Sequence, residues 1–242
     1  MPNEGDDDEA MRVRDWSGDG YRLIPSRFPP VSVYEGLVAN DRLEALAQVE
    51  ALTNPRLRSE ARLSQPAVSE SSSPHRLQNW NLAPFAYGNP EGSRFFDEQR
   101  PCLELAADRQ TALAIAVARR ERFLERTKEA PIGLDMRMLK TPVEGRFWDL
   151  RPLGAHLDRE QCLALGAKVP DGVDGILFHP PERQSATCIV VLDGTKLGRS
   201  LQTIHYRFVW NGRRISRLYA FDDNGLEIEP QSLAGTDDVL AA

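Results

Sequence analysis

Apolar positions along this chain recur first at helical and later at strand spacing. Asp41 with Glu44 reads as a capping box, and Leu43, Leu46, Val49 and Leu52 then lie along one flank until Asn54-Pro55 stops the helix. A second helix is predicted from about Thr111 to Arg126, with Leu113, Ala116, Val117 and Leu124 on one face and RRERFLER turning to solvent. Beyond it the period drops to two. Leu134, Met136 and Met138 alternate with Asp135 and Arg137, as a strand buried on one face does. Thr187 to Leu192 is an apolar run rich in β-branched residues, the mark of a strand covered on both faces. Ile204, Tyr206, Phe208 and Trp210 alternate up to Asn211-Gly212, and Ile215, Arg217, Tyr219 and Phe221 follow it, a strong hairpin signal. Upstream, Pro25, Pro29 and Pro30 make YRLIPSRFPP extended. Helices early and strands late favour an α+β fold with mixed β-sheet flanked by helices over a doubly wound sheet.

Composition sharpens the boundaries. The net charge of -6 is concentrated in the first twenty residues, where seven acids face only Arg12 and Arg14. Residues 1–20 are therefore expected to be an acidic, disordered tail. One domain is expected over 21–230, with a long loop at 63–94 rich in Ser, Pro, Asn and Gly, and a flexible C-terminal tail at 231–242. The body is nearly neutral and lacks the surplus of clustered Lys and Arg that a nucleic-acid partner needs. Cys102, Cys162 and Cys188 are odd in number and far apart, which suits a reducing cytoplasm better than a disulfide framework. No apolar run approaches the ~20 residues that span a bilayer.

Familiar chemical motifs are missing. There is no GxGxxG, phosphate-binding P-loop, HExxH or paired CxxC, and the DGTKLG segment reads as a turn between strands. His75, His156 and His205 are scattered without a Cys or acid at ligand spacing, so no metal site is expected. Tyr206 and Trp210 read as sheet core, and Arg213, Arg214 and Arg217 as a solvated edge.

Four strings in order carry more than periodicity does: YRLIPSRFPP at 21–30, LEALTNPRLR within 43–58, NPEGSRF at 89–95 and RRERFLER at 119–126, followed by LDMR at 134–137. Together they resemble the longer class of RES-domain proteins. That resemblance implies a fold like the ADP-ribosyltransferase toxins and cleavage of the nicotinamide-ribose bond of NAD+ by hydrolysis or phosphorolysis. It implies NAD+ as substrate or ligand, no metal, and a cognate antitoxin or toxin as protein partner, with a homo-oligomer also open.

The family's Arg, Glu and Ser transfer one by one. The Arg corresponds to Arg27 and its aromatic neighbour to Phe28; a guanidinium can fork onto a diphosphate and a ring can stack on nicotinamide. Arg94 and His179 join them as ligand contacts. Registering on RRERFL puts Ile115 where the Glu belongs, and registering on GILF puts Pro180 where the Ser belongs. Glu104, Glu121 and Ser185 are then the substitutes to consider, with Glu104 at a position where the family has a pocket tyrosine. Six residues at ~100° each turn Glu121 away from the face of Ile115. The expectation is a RES protein with weakened or lost catalysis, or else a non-catalytic immunity, regulatory or binding protein on the same fold.

Overall fold

The computed structural model describes residues 12–26, 83–85, 89, 91–221 and 225–240. Eight strands form one mixed sheet: β1 (Val13–Pro25), β2 (Leu103–Ala106), β3 (Ile132–Asp149), β4 (Gly175–Phe178), β5 (Cys188–Val191), β6 (Leu201–Trp210), β7 (Ile215–Phe221) and β8 (Glu227–Ile228). Among the described residues the helices α1 (Arg109–Arg126) and α2 (Arg159–Ala167) join the sheet in an α+β architecture. The strand order is β1-β2-β5-β4-β3-β6-β7-β8, and β1 also pairs with β3. The pairings β1–β2, β2–β5, β5–β4, β4–β3 and β3–β1 therefore close a five-stranded ring, from which β6, β7 and β8 extend as a wing along β3. Among the described strands only the β3–β4 pairing is parallel.

Period-two alternation divides the ring's residues between two cores. Leu103, Leu105, Val143, Phe147, Leu177, Ile189 and Val191 fill the interior. Ala106, Ile176, Phe178, Cys188 and Val190 face the other way, into the larger core that Leu113, Val117 and Leu124 of α1 share with the wing's Tyr206, Phe208 and Trp210. Helix α1 starts where Asp108 accepts from the Thr111 amide at 2.8 Å, an N-cap that satisfies one of the helix's orphan donors.

The expected acidic tail is corrected from Val13 onward, because β1 begins there and pairs with β3 from Val13↔Trp148 to Pro25↔Met136. Its first half is polar because it is exposed: backbone pairing holds it, helped by Arg14 on Asp149 (2.9 Å) and Lys140 on Asp19 (2.7 Å). The expected flexible C-terminal tail is corrected as well. Residues Pro230–Ala234 form a 3-10 turn with Leu233 buried. The buried Gln110 donates to the Leu233 and Gly235 carbonyls (3.1 and 3.3 Å) and accepts from the Val239 amide (3.1 Å). The helix expected at Asp41, most of the loop at 63–94 and residues 1–11 lie outside the described residues.

A candidate cleft between strand β2 and helix α1

The sequence LELA sends Leu103 and Leu105 into the ring and Glu104 out beneath α1. Glu104 there lines a cleft of about 60 Å³, room for a few waters, with Tyr21, Arg22 and Leu23 of β1, Phe178 of β4 and Cys188 of β5. The helix supplies Ala112, Ile115, Ala116 and Arg119, residues on one face at three- and four-residue spacing. Arg94 closes the lining from the segment before β2.

That segment is held by the second helix. Gly166 of α2 lies so close under the Phe95 carbonyl that a Cβ would sit 1.8 Å from its oxygen. Arg159 at the start of α2 donates to the Ser93 and Glu91 carbonyls. The capping box of α2, in which Asp158 and Gln161 exchange hydrogen bonds (2.8 and 2.9 Å), fixes where Arg159 stands. Phe95 meets Phe178 edge to face at 5.1 Å, and the Arg94 guanidinium stacks over the same ring at 5.3 Å.

Glu104 is the cleft's carboxylate. Its side chain is 12% exposed, one oxygen accepts from the Arg94 amide at 3.0 Å, and the other is ion-paired with Arg119. Burial alone would raise its pKa, but the Arg119 charge, the Arg94 amide and the Arg94 charge outweigh burial and hold it below the usual value. Arg119 is raised in turn, chiefly by Glu104. Burial pushes the Arg22 guanidinium down to about 10, and pushes the Cys188 thiol well up, so Cys188 is a neutral wall and no nucleophile at neutral pH. Three arginines and one carboxylate make a cleft suited to an anion with a cationic centre beside it.

The sequence matches the RES domain family over residues 73–211, more than half of the chain. It is also 65% identical over 221 residues to "Uncharacterized protein y4oC" of Sinorhizobium fredii, covering 91% of this chain and 95% of that one. The chain belongs to the RES-domain family. The family is of toxin type, and the α+β fold expected from the sequence is the fold this RES domain has.

Within this RES domain the predicted site residues separate. Glu104, Arg94 and Ile115 all line the cleft, Ile115 as one of the four residues that α1 supplies. The cleft nonetheless holds an acid, because β2 delivers what α1 does not. Glu121 is elsewhere: its carboxylate accepts from the Ile215 amide at 2.7 Å and ties α1 to the start of β7. Ser185 is exposed in the turn after β4, outside the cleft lining, so that loop does not fold back to restore a serine. His179 uses Nδ1 on the Ala186 carbonyl at 2.5 Å and braces the same loop. Arg27 and Phe28 lie outside the described residues. Sequence reasoning passed over Arg119 and Glu182. Arg119 could have been found, since it stands one turn from Ile115 on the same face. Among the described residues no cluster of His, Cys, Asp or Glu is arranged to hold a metal, and no helix is long and apolar enough to cross a membrane.

Proposed function

We propose that this protein is a RES-family NAD+-cleaving protein of toxin type, acting in the cytoplasm, whose turnover is slow because its carboxylate is neutralised by its own helix. The reading rests on one observation above all, the Glu104–Arg119 ion pair in a cleft where α1 contributes Ile115. Arg27 and Phe28 are carried by family resemblance as the diphosphate and nicotinamide contacts, with Arg94 as a further contact for the anion. The bond between the nicotinamide nitrogen and the ribose carbon breaks with its electron pair leaving on nicotinamide. Positive charge then builds on the ribose beside Glu104, and a water or phosphate oxygen completes that carbon. A carboxylate stabilises such charge only in so far as it is not already spent on a guanidinium, and an ill-supplied acid-base position forfeits ~10²–10⁴ in rate.

A fluorescence assay of NAD+ consumption tests this. Wild type is expected to turn over about 10²–10⁴-fold below an ordinary enzyme. Glu104→Gln is expected to fall to background and Arg119→Gln to run faster than wild type. Ordinary turnover, or a slow rate that Glu104→Gln leaves untouched, contradicts the proposal. A second reading, a non-catalytic immunity, regulatory or binding protein facing a cognate antitoxin or toxin, is favoured by the fact that both Arg94 and Arg119 already carry an intramolecular carboxylate. NAD+ binding with no turnover in any of these proteins selects it.

A further inference from the structure

The loop that follows β4 brings a second carboxylate to the edge of the cleft. Glu182 pairs with the terminal Nη2 of Arg94 at 3.3 Å, with side chains 13% and 21% exposed. The rest of that guanidinium is not fully used. Its Nε is buried and meets no hydrogen-bond acceptor among the described residues, while its face lies on Phe178. A buried guanidinium nitrogen without an acceptor is costly, and a planar fork with one prong on a single carboxylate oxygen is half of the bidentate geometry that arginine makes with phosphoryl groups.

Glu182 is not free to wander, because its neighbours are fixed. The next residue, Arg183, is anchored on Asp108 and Thr111 at the start of α1 (3.0 and 3.2 Å) and on the Gly235 and Thr236 carbonyls (2.9 and 3.4 Å). His179 on Ala186 and the Arg183 amide on Pro180 (3.2 Å) close the neck of the loop. The loop therefore holds a carboxylate against Arg94 much as a ligand anion would be held.

We propose that Arg94 is an anion subsite for a phosphoryl group, and that Glu182 occupies it as an internal ligand which the incoming phosphoryl group must displace. Glu182 thereby sets the affinity and the charge selectivity of the cleft. The inference needs this cleft to be the ligand site, as in the reading above, but it does not need NAD+ to be cleaved. The phosphoryl group could belong to a dinucleotide or be free phosphate, and the two are separated by the probes.

The test is calorimetric titration of the full chain with inorganic phosphate and, separately, with ADP-ribose, in wild type, Glu182→Gln, Arg94→Gln and the double variant. Removing the internal charge is expected to tighten binding about tenfold, which is about 1.4 kcal/mol. Tightening with both probes, or with phosphate alone, makes free phosphate a ligand. Tightening with ADP-ribose alone assigns the subsite to a nucleotide diphosphate. In each case Arg94→Gln removes the gain in the Glu182→Gln background. Glu182→Asp, which keeps the charge on a shorter arm, is expected to fall between wild type and Glu182→Gln, and it guards against a misfolded Gln variant. Equal or weaker binding by a Glu182→Gln protein with wild-type melting behaviour, or a gain that survives Arg94→Gln, overturns the proposal.

Discussion

The two sides of strand β2 present opposite chemistry within four residues. On the ring side Leu103 and Leu105 meet Val143, Phe147, Leu177, Ile189 and Val191. On the helix side Glu104 meets Arg94 and Arg119 beneath an otherwise apolar helix face. The ring interior has one task, to hold the strands in register. The helix side, the ligand site of the proposed function, pairs Glu104 with Arg119 and Arg94 with Glu182. A buried carboxylate stays ionised only with a partner, and here the partners are the protein's own arginines.

The comparison is broken most severely from the ring side. Leu105→Ala leaves a cavity where Leu105 is 2% exposed, and its cost is expected at about 2–5 kcal/mol in chemical denaturation. A loss below about 1 kcal/mol would mean that the ring is not the stabilising core described. Next in size is Gly166→Ala. Its Cβ would meet the Phe95 carbonyl oxygen at 1.8 Å, so either α2 or the Phe95 segment must shift. The expected cost is about 1–3 kcal/mol, and because Arg94 adjoins Phe95, ligand affinity should fall along with stability. Full affinity in that variant would detach the segment from the cleft.

How much of this could be read beforehand follows from where each residue's free energy comes from. The β6–β7 hairpin was legible because one face is buried and its turn needs a glycine; Gly212 has φ +91°. Helix α1 was legible for the same reason, and its start moves only from Thr111 to Arg109. Strand β5 runs within the expected apolar stretch. β1 was not legible in its first half, since Val13 to Asp19 contribute backbone pairing, ion pairs and the single half-buried Trp16, which together leave no hydrophobic period. Helix α2 buries only Cys162 and Gly166, too little for periodicity, although its DREQ capping box was there to be seen. In the cleft, the identities of Glu104 and Ile115 were readable, but their meeting was not. That depends on β2 lying antiparallel to β5, a long-range pairing that no local pattern encodes. Glu121 and Glu104 look alike in sequence, and only tertiary contacts make one a strand tie and the other a cleft acid.

The gentlest perturbation leaves packing alone and acts on charge. Because the folded-state pKa of Glu104 is lowered, its ionisation supports folding above the unfolded value near 4.5, and that support is lost as pH falls through the folded value. Glu104→Gln should therefore flatten the loss of stability in acid relative to wild type. The most direct measurement is a carbon-13 NMR titration of the Glu104 side-chain carboxyl, assigned by its disappearance in Glu104→Gln. An inflection below the ordinary glutamate range, moving upward in Arg119→Gln, is the predicted result. An inflection at or above that range, indifferent to Arg119, would contradict an ionised, arginine-held carboxylate in this cleft.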